Sequence, residues 1–247
     1  SPEQMTGEAQ DARVEPWFRA ALWWSRLLPP PATPALGPDP LGAILRDQLD
    51  FDGLLRFSPL RLFIATTHAR SARLRVFREH ELSAEVLLAS ACLPQWRRTV
   101  WIDGEPYWDG GYAANPPLRS LMADGGARDL LLVLLLPALR QALPTTAREI
   151  ESRVQELGFI TPFLAEWRSL FDAPQRPWWW PGRGATRWHA IDASAALGGL
   201  PTETRMTPGE RFLGVLRDLG RARAHDWLQA KGRDVGRRSS IGAAGPG

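Results

Sequence analysis

The stretch Ile102–Leu118, IDGEPYWDGGYAANPPL, holds two Asp-Gly pairs six residues apart, the second followed by another glycine. Asp103-Gly104 lies between two strand-like runs, TVWID and EPYWD, and that dipeptide favours a type I′ hairpin turn. The turn sends the chain back along the second run to Asp109. Gly110 and Gly111 come next, leaving the backbone bare of side chains beside a carboxylate. On spacing alone a second turn is the safer reading of Asp109. Asn115 can cap the following helix, with Pro116 at its first position.

Upstream of this hairpin the texture alternates. Asp39 and Pro40 start a helix that runs to about Leu49. Pro59–Thr67 and Arg73–Glu79 read as strands joined by a turn. Ser83 caps a helix, SAEVLLASACLP, that has Glu81 and Glu85 near its positive end and stops at Pro94. Downstream, DLLLVLLLP reads as a fully buried strand, its apolar run of Leu130–Leu136 too short to span a bilayer. A long helix follows Pro144, interrupted or kinked near Pro162, then a strand RWHAID and a closing helix over Thr207–Lys231. The tail from Gly236 is expected to be disordered. At the other end, Pro16–Leu28 has helical spacing and leads into the proline-rich PPPATPALGPDP. Strands alternating with helices predict an α/β sheet followed by a helical extension.

Composition narrows the function. Apolar residues make up 44% and charged residues 23% of 247, ordinary values for a globular chain that buries a core. Cys92 is the only cysteine, which excludes an intramolecular disulfide and argues against a cysteine-based zinc site. The net charge is +3, and the arginines are scattered among acids, so no nucleic-acid footprint is formed. His68, His80, His189 and His225 lack the spacing of a helical ligand pair and are expected to be structural or exposed. Cys92 reads as buried filler rather than a thiolate nucleophile. Trp178, Trp179 and Trp180, flanked by Arg176 and Arg183, pack as a loop or dip into a lipid interface.

ASACLP followed by VWIDGEPYWDGGYAANPPL resembles the C-terminal half of the patatin-like phospholipase domain. The likeness continues upstream through LDFDGLLRFSPLRLFIATTHARSARLRVFREHELSAEVLLASACLP. WHAIDAS and FLGVLRDLGRARAHDWL look like the C-terminal extension found in a bacterial subgroup of that family. In ATTHARSARLRVF, Thr67, His68, Ser71 and Ala72 depart from the Asn, Val, Thr and Gly expected there, which bears on substrate contacts.

The resemblance implies part of a three-layer α/β/α fold over residues 1–137 and a mainly helical extension over 138–247. It implies an acyl hydrolase with a Ser–Asp dyad, in which Asp109 is the base and Gly110, Gly111 and Asn115 shape the element around it. The substrate would be a phospholipid or another lipid ester, with no metal or organic cofactor. A cytoplasmic protein with peripheral membrane contact is the expected setting. The nucleophile of such enzymes sits in G-x-S-x-G after a glycine-rich loop. No serine here has glycine at both −2 and +2: Ser90 is flanked by Leu88 and Cys92, and Ser194 by Asp192 and Ala196. The serine is therefore expected upstream of Ser1, and the chain alone is expected to be inactive on lipid esters. The alternative is an inactive lipid-binding or interaction module.

Overall fold

The computed structural model describes residues 40–57, 59–95, 97–123, 127–135, 139, 143–171, 186–197 and 210–242. The chain divides into two compact units. One comprises Trp17–Leu121 with Thr161–Glu166, and the other Ser1–Pro16, Met122–Ile160 and Trp167–Gly247.

The first unit is built on an antiparallel sheet in the order β2-β1-β4-β3. Its strands are β1 (Phe63–His68), β2 (Leu74–Arg78), β3 (Val100–Ile102) and β4 (Glu105–Asp109). β1 and β2 form a hairpin in which Thr67 pairs with Leu74 and Phe63 with Arg78. The turn closes with Ala72 at φ 55°, a left-handed position that glycine takes without strain. β3 and β4 meet across Asp103 (φ 52°) and Gly104 (φ 78°), the two positive angles that a type I′ turn demands. β4 then lies along β1, so Asp109 faces Thr66 and Tyr107 faces His68.

Helices pack around this sheet for legible reasons. α1 (Pro40–Gln48) is followed by α2 (Phe51–Phe57). Asp50 starts α2, its carboxylate accepting from the Gly53 N–H at 2.9 Å. α3 (Ala84–Ser90) is capped by Ser83, whose hydroxyl accepts from the Val86 N–H at 3.3 Å. Its buried face carries Ala84, Val86, Leu88 and Ala89. Val86 joins Phe77 and Leu82 in a core against which Ile64 and Tyr107 pack. Each such side chain removed from water contributes about 1.5–3 kcal/mol.

α4 (Leu118–Ala123) begins two residues later than Asn115-Pro116 suggests. Its first N–H groups, on Leu118 and Arg119, donate to the Glu166 carboxylate at 3.1 and 2.7 Å. A carboxylate at a helix N-terminus also meets the positive end of the dipole. The cap thus comes from a residue distant in sequence.

The second unit contains β5 (Asp129–Leu134) and β6 (Arg187–Asp192), paired in parallel from Asp129↔Arg187 to Leu134↔Asp192. α5 (Ala147–Phe171) runs unbroken through Pro162. Its start is a capping box: the Thr146 hydroxyl accepts from the Glu149 N–H, and the Glu149 carboxylate accepts from Thr145 and Thr146 N–H. Those donors lower the Glu149 carboxyl to about 2. Trp188 on β6 meets Trp167 and Phe171 edge to face, at centroid separations of 5.0 and 5.6 Å. α6 (Ser194–Leu197) and α7 (Glu210–Lys231) are the remaining described α-helices.

Two further expectations need correction. β5 is not buried on both faces: Leu132 is 5% exposed, but Leu131 and Val133 are 49% and 64% exposed, as is Leu135 beyond the strand at 57%. A continuous apolar run anticipates cover on both sides of a parallel strand, and among the described residues one side lacks it. Nor is the tail disordered as far as residue 242. Ser240 and Ile241 N–H donate to the Trp188 carbonyl, and Ser239 Oγ accepts from the Trp188 N–H. The helical reading of Pro16–Leu28, the proline-rich connector and the tryptophan loop at 178–180 lie outside the described residues.

Candidate active site

Asp109 closes β4 and at the same time caps the 3₁₀ turn Gly110–Tyr112. Its backbone is fixed from two sides. The N–H donates to the Cys92 carbonyl at 2.9 Å, and its own carbonyl accepts from the Thr67 hydroxyl at 2.8 Å. Thr66 and Thr67 are buried, so the strand position opposite Asp109 is held inside the unit.

The carboxylate itself accepts one hydrogen bond, from the Gly111 N–H to Oδ1 at 2.8 Å. Oδ2 accepts none from the described residues. Burial pushes the Asp109 carboxyl above its ordinary value, with the Gly111 N–H pulling the other way. A half-buried carboxylate with one oxygen oriented by backbone, and the other without a donor among the described residues, is equipped to accept a proton from a hydroxyl presented at Oδ2.

The two glycines have different tasks. A Cβ at Gly110 would come within 2.3 Å of the Ala65 carbonyl oxygen, so only glycine lets the turn sit this close to β1. Gly111 is buried and supplies the N–H that orients Asp109. Ala113 and Ala114 N–H both donate to the Gly110 carbonyl, which continues the turn away from the strand. Asn115 follows five residues after Gly110, and its bond to Pro116 is cis.

The flanking side chains add polarity without chemistry of their own. Tyr112 donates its hydroxyl to Gln95 at 3.3 Å, and burial raises its phenol. Cys92 is fully buried, its thiol donates to the Arg98 carbonyl at 3.2 Å, and burial pushes the thiol up. A raised, enclosed thiol is filler rather than a nucleophile, as its small-residue neighbours suggest. Among the described residues no cluster of three His, Cys, Asp or Glu side chains could hold a metal ion. No helix among them is long and apolar enough to cross a membrane.

Two polar constellations escaped the reading of the sequence. His68 bridges Ser71 Oγ and Glu105 Oε2, at 2.7 and 2.9 Å. His189, 1% exposed, bridges Ser240 Oγ at 3.1 Å and Asp129 Oδ1 at 3.0 Å. Asp129 also accepts two bonds from Arg187, at 2.8 and 2.7 Å, and one from the Gly236 N–H at 2.9 Å. Those donors, the Arg187 guanidinium first, hold its carboxyl far below the usual range. The signal was present in the alternation of RWHAID, which puts Arg187 and His189 on one strand face. Only the parallel pairing shows that Asp129 shares that face.

These features define an α/β unit with a hairpin-delivered, backbone-oriented aspartate beside a Gly-Gly turn. Residues 2–122 match the sequence model of the patatin-like phospholipase family, just under half of the chain. The match includes the whole Asp109 element and agrees with the resemblance carried by its Asp-Gly-Gly stretch, as the mixed α/β architecture does. No curated protein matches the chain.

Proposed function

We propose that the chain is the base-bearing portion of a patatin-like lipid acyl hydrolase. Asp109 is the base of a Ser–Asp dyad, and the family-related segment runs to residue 137 with an extension over 138–247. The observation that carries this reading is the Asp109 carboxylate: raised by burial, oriented at Oδ1 by the Gly111 N–H, and accepting no hydrogen bond at Oδ2 from the described residues. An aspartate at its ordinary pKa is a weak base for a serine hydroxyl, and burial improves the match. The serine hydroxyl would donate its proton to Oδ2 as its oxygen attacks the ester carbonyl. The alcohol leaves with a proton returned from Asp109, and water then releases the fatty acid from the acyl-serine. Gly110 keeps the turn against β1, Gly111 orients the carboxylate, and Asn115 positions the chain leading to α4. The partner is a lipid ester, met by peripheral contact with a membrane.

The test uses the natural protein with whatever precedes Ser1. It should hydrolyse phospholipid or other lipid esters, and Asp109→Asn should lower turnover by about 10²–10⁴-fold. Turnover that survives the substitution would remove Asp109 from the chemistry. A second reading, an inactive lipid-binding module, is favoured by the lack of any serine between glycines at −2 and +2. It requires liposome association without ester hydrolysis by the natural protein.

A further inference from the structure

His68 ends β1, and both of its ring nitrogens are engaged. Nε2 lies 2.9 Å from Glu105 Oε2, and the hydrogen bond from His68 is the largest influence holding that carboxyl below its ordinary value. An ionised Glu105 accepts only, which places the proton of a neutral imidazole on Nε2. Nδ1 is then left with its lone pair toward Ser71 Oγ, 2.7 Å away. The arrangement is nucleophile, base and orienting carboxylate in sequence, with the two hydrogen bonds that such an array needs.

Its setting is open to solvent. Ser71 is exposed, and the side chains of His68 and Glu105 are 21% and 49% exposed. Arg70, next to Ser71 in the chain, holds its guanidinium 3.7 Å from Glu105 and 5.6 Å over the Trp101 ring. Trp101 is 55% exposed and offers an aromatic platform beside that cation. The cluster ties the β1–β2 turn to the first residue of β4 and shares no side chain with the Asp109 site.

We propose that Ser71, His68 and Glu105 form a second nucleophilic centre that takes small activated esters and phosphonyl halides. Ser71 Oγ bonds to the carbonyl carbon while its proton passes to His68 Nδ1, and the imidazolium is held by Glu105. The positive charge of Arg70 on the same turn offsets the developing oxyanion. Collapse expels the aryl oxide, which takes the proton from His68 Nδ1 and leaves as a phenol, giving acyl-Ser71 and a neutral imidazole. Water then attacks the acyl carbon, gives one proton to His68, and releases the carboxylic acid as Ser71 recovers its proton. A phosphonyl fluoride stops at phosphonyl-Ser71, with fluoride leaving and the serine proton passing through His68 to solvent. Ser71 and Glu105 stand open to solvent, which suits small, reactive substrates rather than lipids.

The experiment incubates the full 247-residue chain with a biotinylated fluorophosphonate and maps the label by mass spectrometry after chymotryptic digestion. One serine, Ser71, should be labelled. Ser71→Ala should abolish labelling. His68→Gln should slow it by about 100-fold and Glu105→Gln by about 10-fold, the range expected for a positioned base and its support. His225→Gln, at a histidine hydrogen-bonded to Gln229 on α7, should leave the rate unchanged. Thermal melts monitored by circular dichroism should match across the set. No labelling, labelling of another serine, or an unaltered rate in His68→Gln would overturn the proposal. The inference does not rest on the Asp109 reading: lipid-ester turnover by the natural protein should persist in Ser71→Ala.

Discussion

The antiparallel sheet of β1–β4 is assembled within residues 63–109, by two hairpins and one short helix. β5 ends at Leu134 and waits until Arg187 for its partner. The first sheet is therefore specified by turns that sit beside the strands they join, and the second by contacts between distant segments. The difference shows in what holds each together. β1 is covered by β2 and β4 on its two edges and by α3 through Val86, whereas β5 and β6 are held by the Asp129 carboxylate, by Trp188 against Trp167 and Phe171, and by the docked segment 236–241. A two-stranded parallel pair with Leu131 and Val133 exposed is an incomplete answer to the burial that such strands require.

The sharpest way to break the first sheet is at its closest backbone approach. Gly110→Ala forces a Cβ to within 2.3 Å of the Ala65 carbonyl oxygen, and the obstacle is main chain rather than a side chain that can rotate. We expect a loss of about 3 kcal/mol, the upper range for overpacking, measured by urea unfolding with tryptophan fluorescence. A variant as stable as the parent would mean that the turn can lift off β1, and with it Asp109.

The second sheet is tested by contrasting its two faces. Leu132→Ala should cost about 2–3 kcal/mol, because Leu132 is buried and its removal leaves a cavity. Leu131→Ser, on the exposed face, should change stability by no more than about 0.5 kcal/mol and raise the concentration at which the chain stays monodisperse in light scattering. If Leu131→Ser is as costly as Leu132→Ala, the exposed face is covered in solution.

A smaller effect of opposite sign belongs to the β1–β2 turn. Ala72 sits at φ 55°, where an L-residue other than glycine is strained by about 1–2 kcal/mol. Ala72→Gly should recover part of this, about 1 kcal/mol, since glycine also loses more freedom on folding. An unchanged midpoint would show that the turn tolerates its left-handed residue without strain.

Legibility in the sequence follows the same division. Both hairpins and the Ser83 cap were readable, because the instructing residues are local: Asp103-Gly104 for one turn and Ser83 for the helix. The contact of Gly110 with the Ala65 carbonyl was not, since β1 lies far upstream in the sequence. The start of α4 was not, because its cap is Glu166, far along the chain. The fate of the tail was equally hidden, since GRRSSIG carries no pattern of its own and acquires order from the Trp188 backbone and the Asp129 carboxylate. His68 and His189 illustrate the same limit within a candidate site. A lone histidine is uninformative until pairing brings Glu105 or Asp129 to its ring.

The smallest predicted effect bears on why the Asp109 site is arranged as it is. Burial raises the Asp109 carboxyl above its ordinary value of 3.8, so the folded chain binds this proton more tightly than the unfolded chain does. Below 3.8 both states are protonated and the group costs folding nothing. As pH rises from there through the raised value, the native state must hold a desolvated charge, and stability falls to a plateau. Asn at position 109 is neutral throughout and keeps an Oδ1 acceptor for the Gly111 N–H. Asp109→Asn should therefore match the parent near pH 3 and become the more stable of the two towards neutrality, read as a difference in urea midpoints across the pH range. Greater stability together with lost turnover would mark the carboxylate as a strained functional group rather than a structural one. A variant less stable than the parent at neutral pH would mean that the carboxylate's own charge holds the Gly-Gly turn in place, and the case for Asp109 as a base would lose its physical footing.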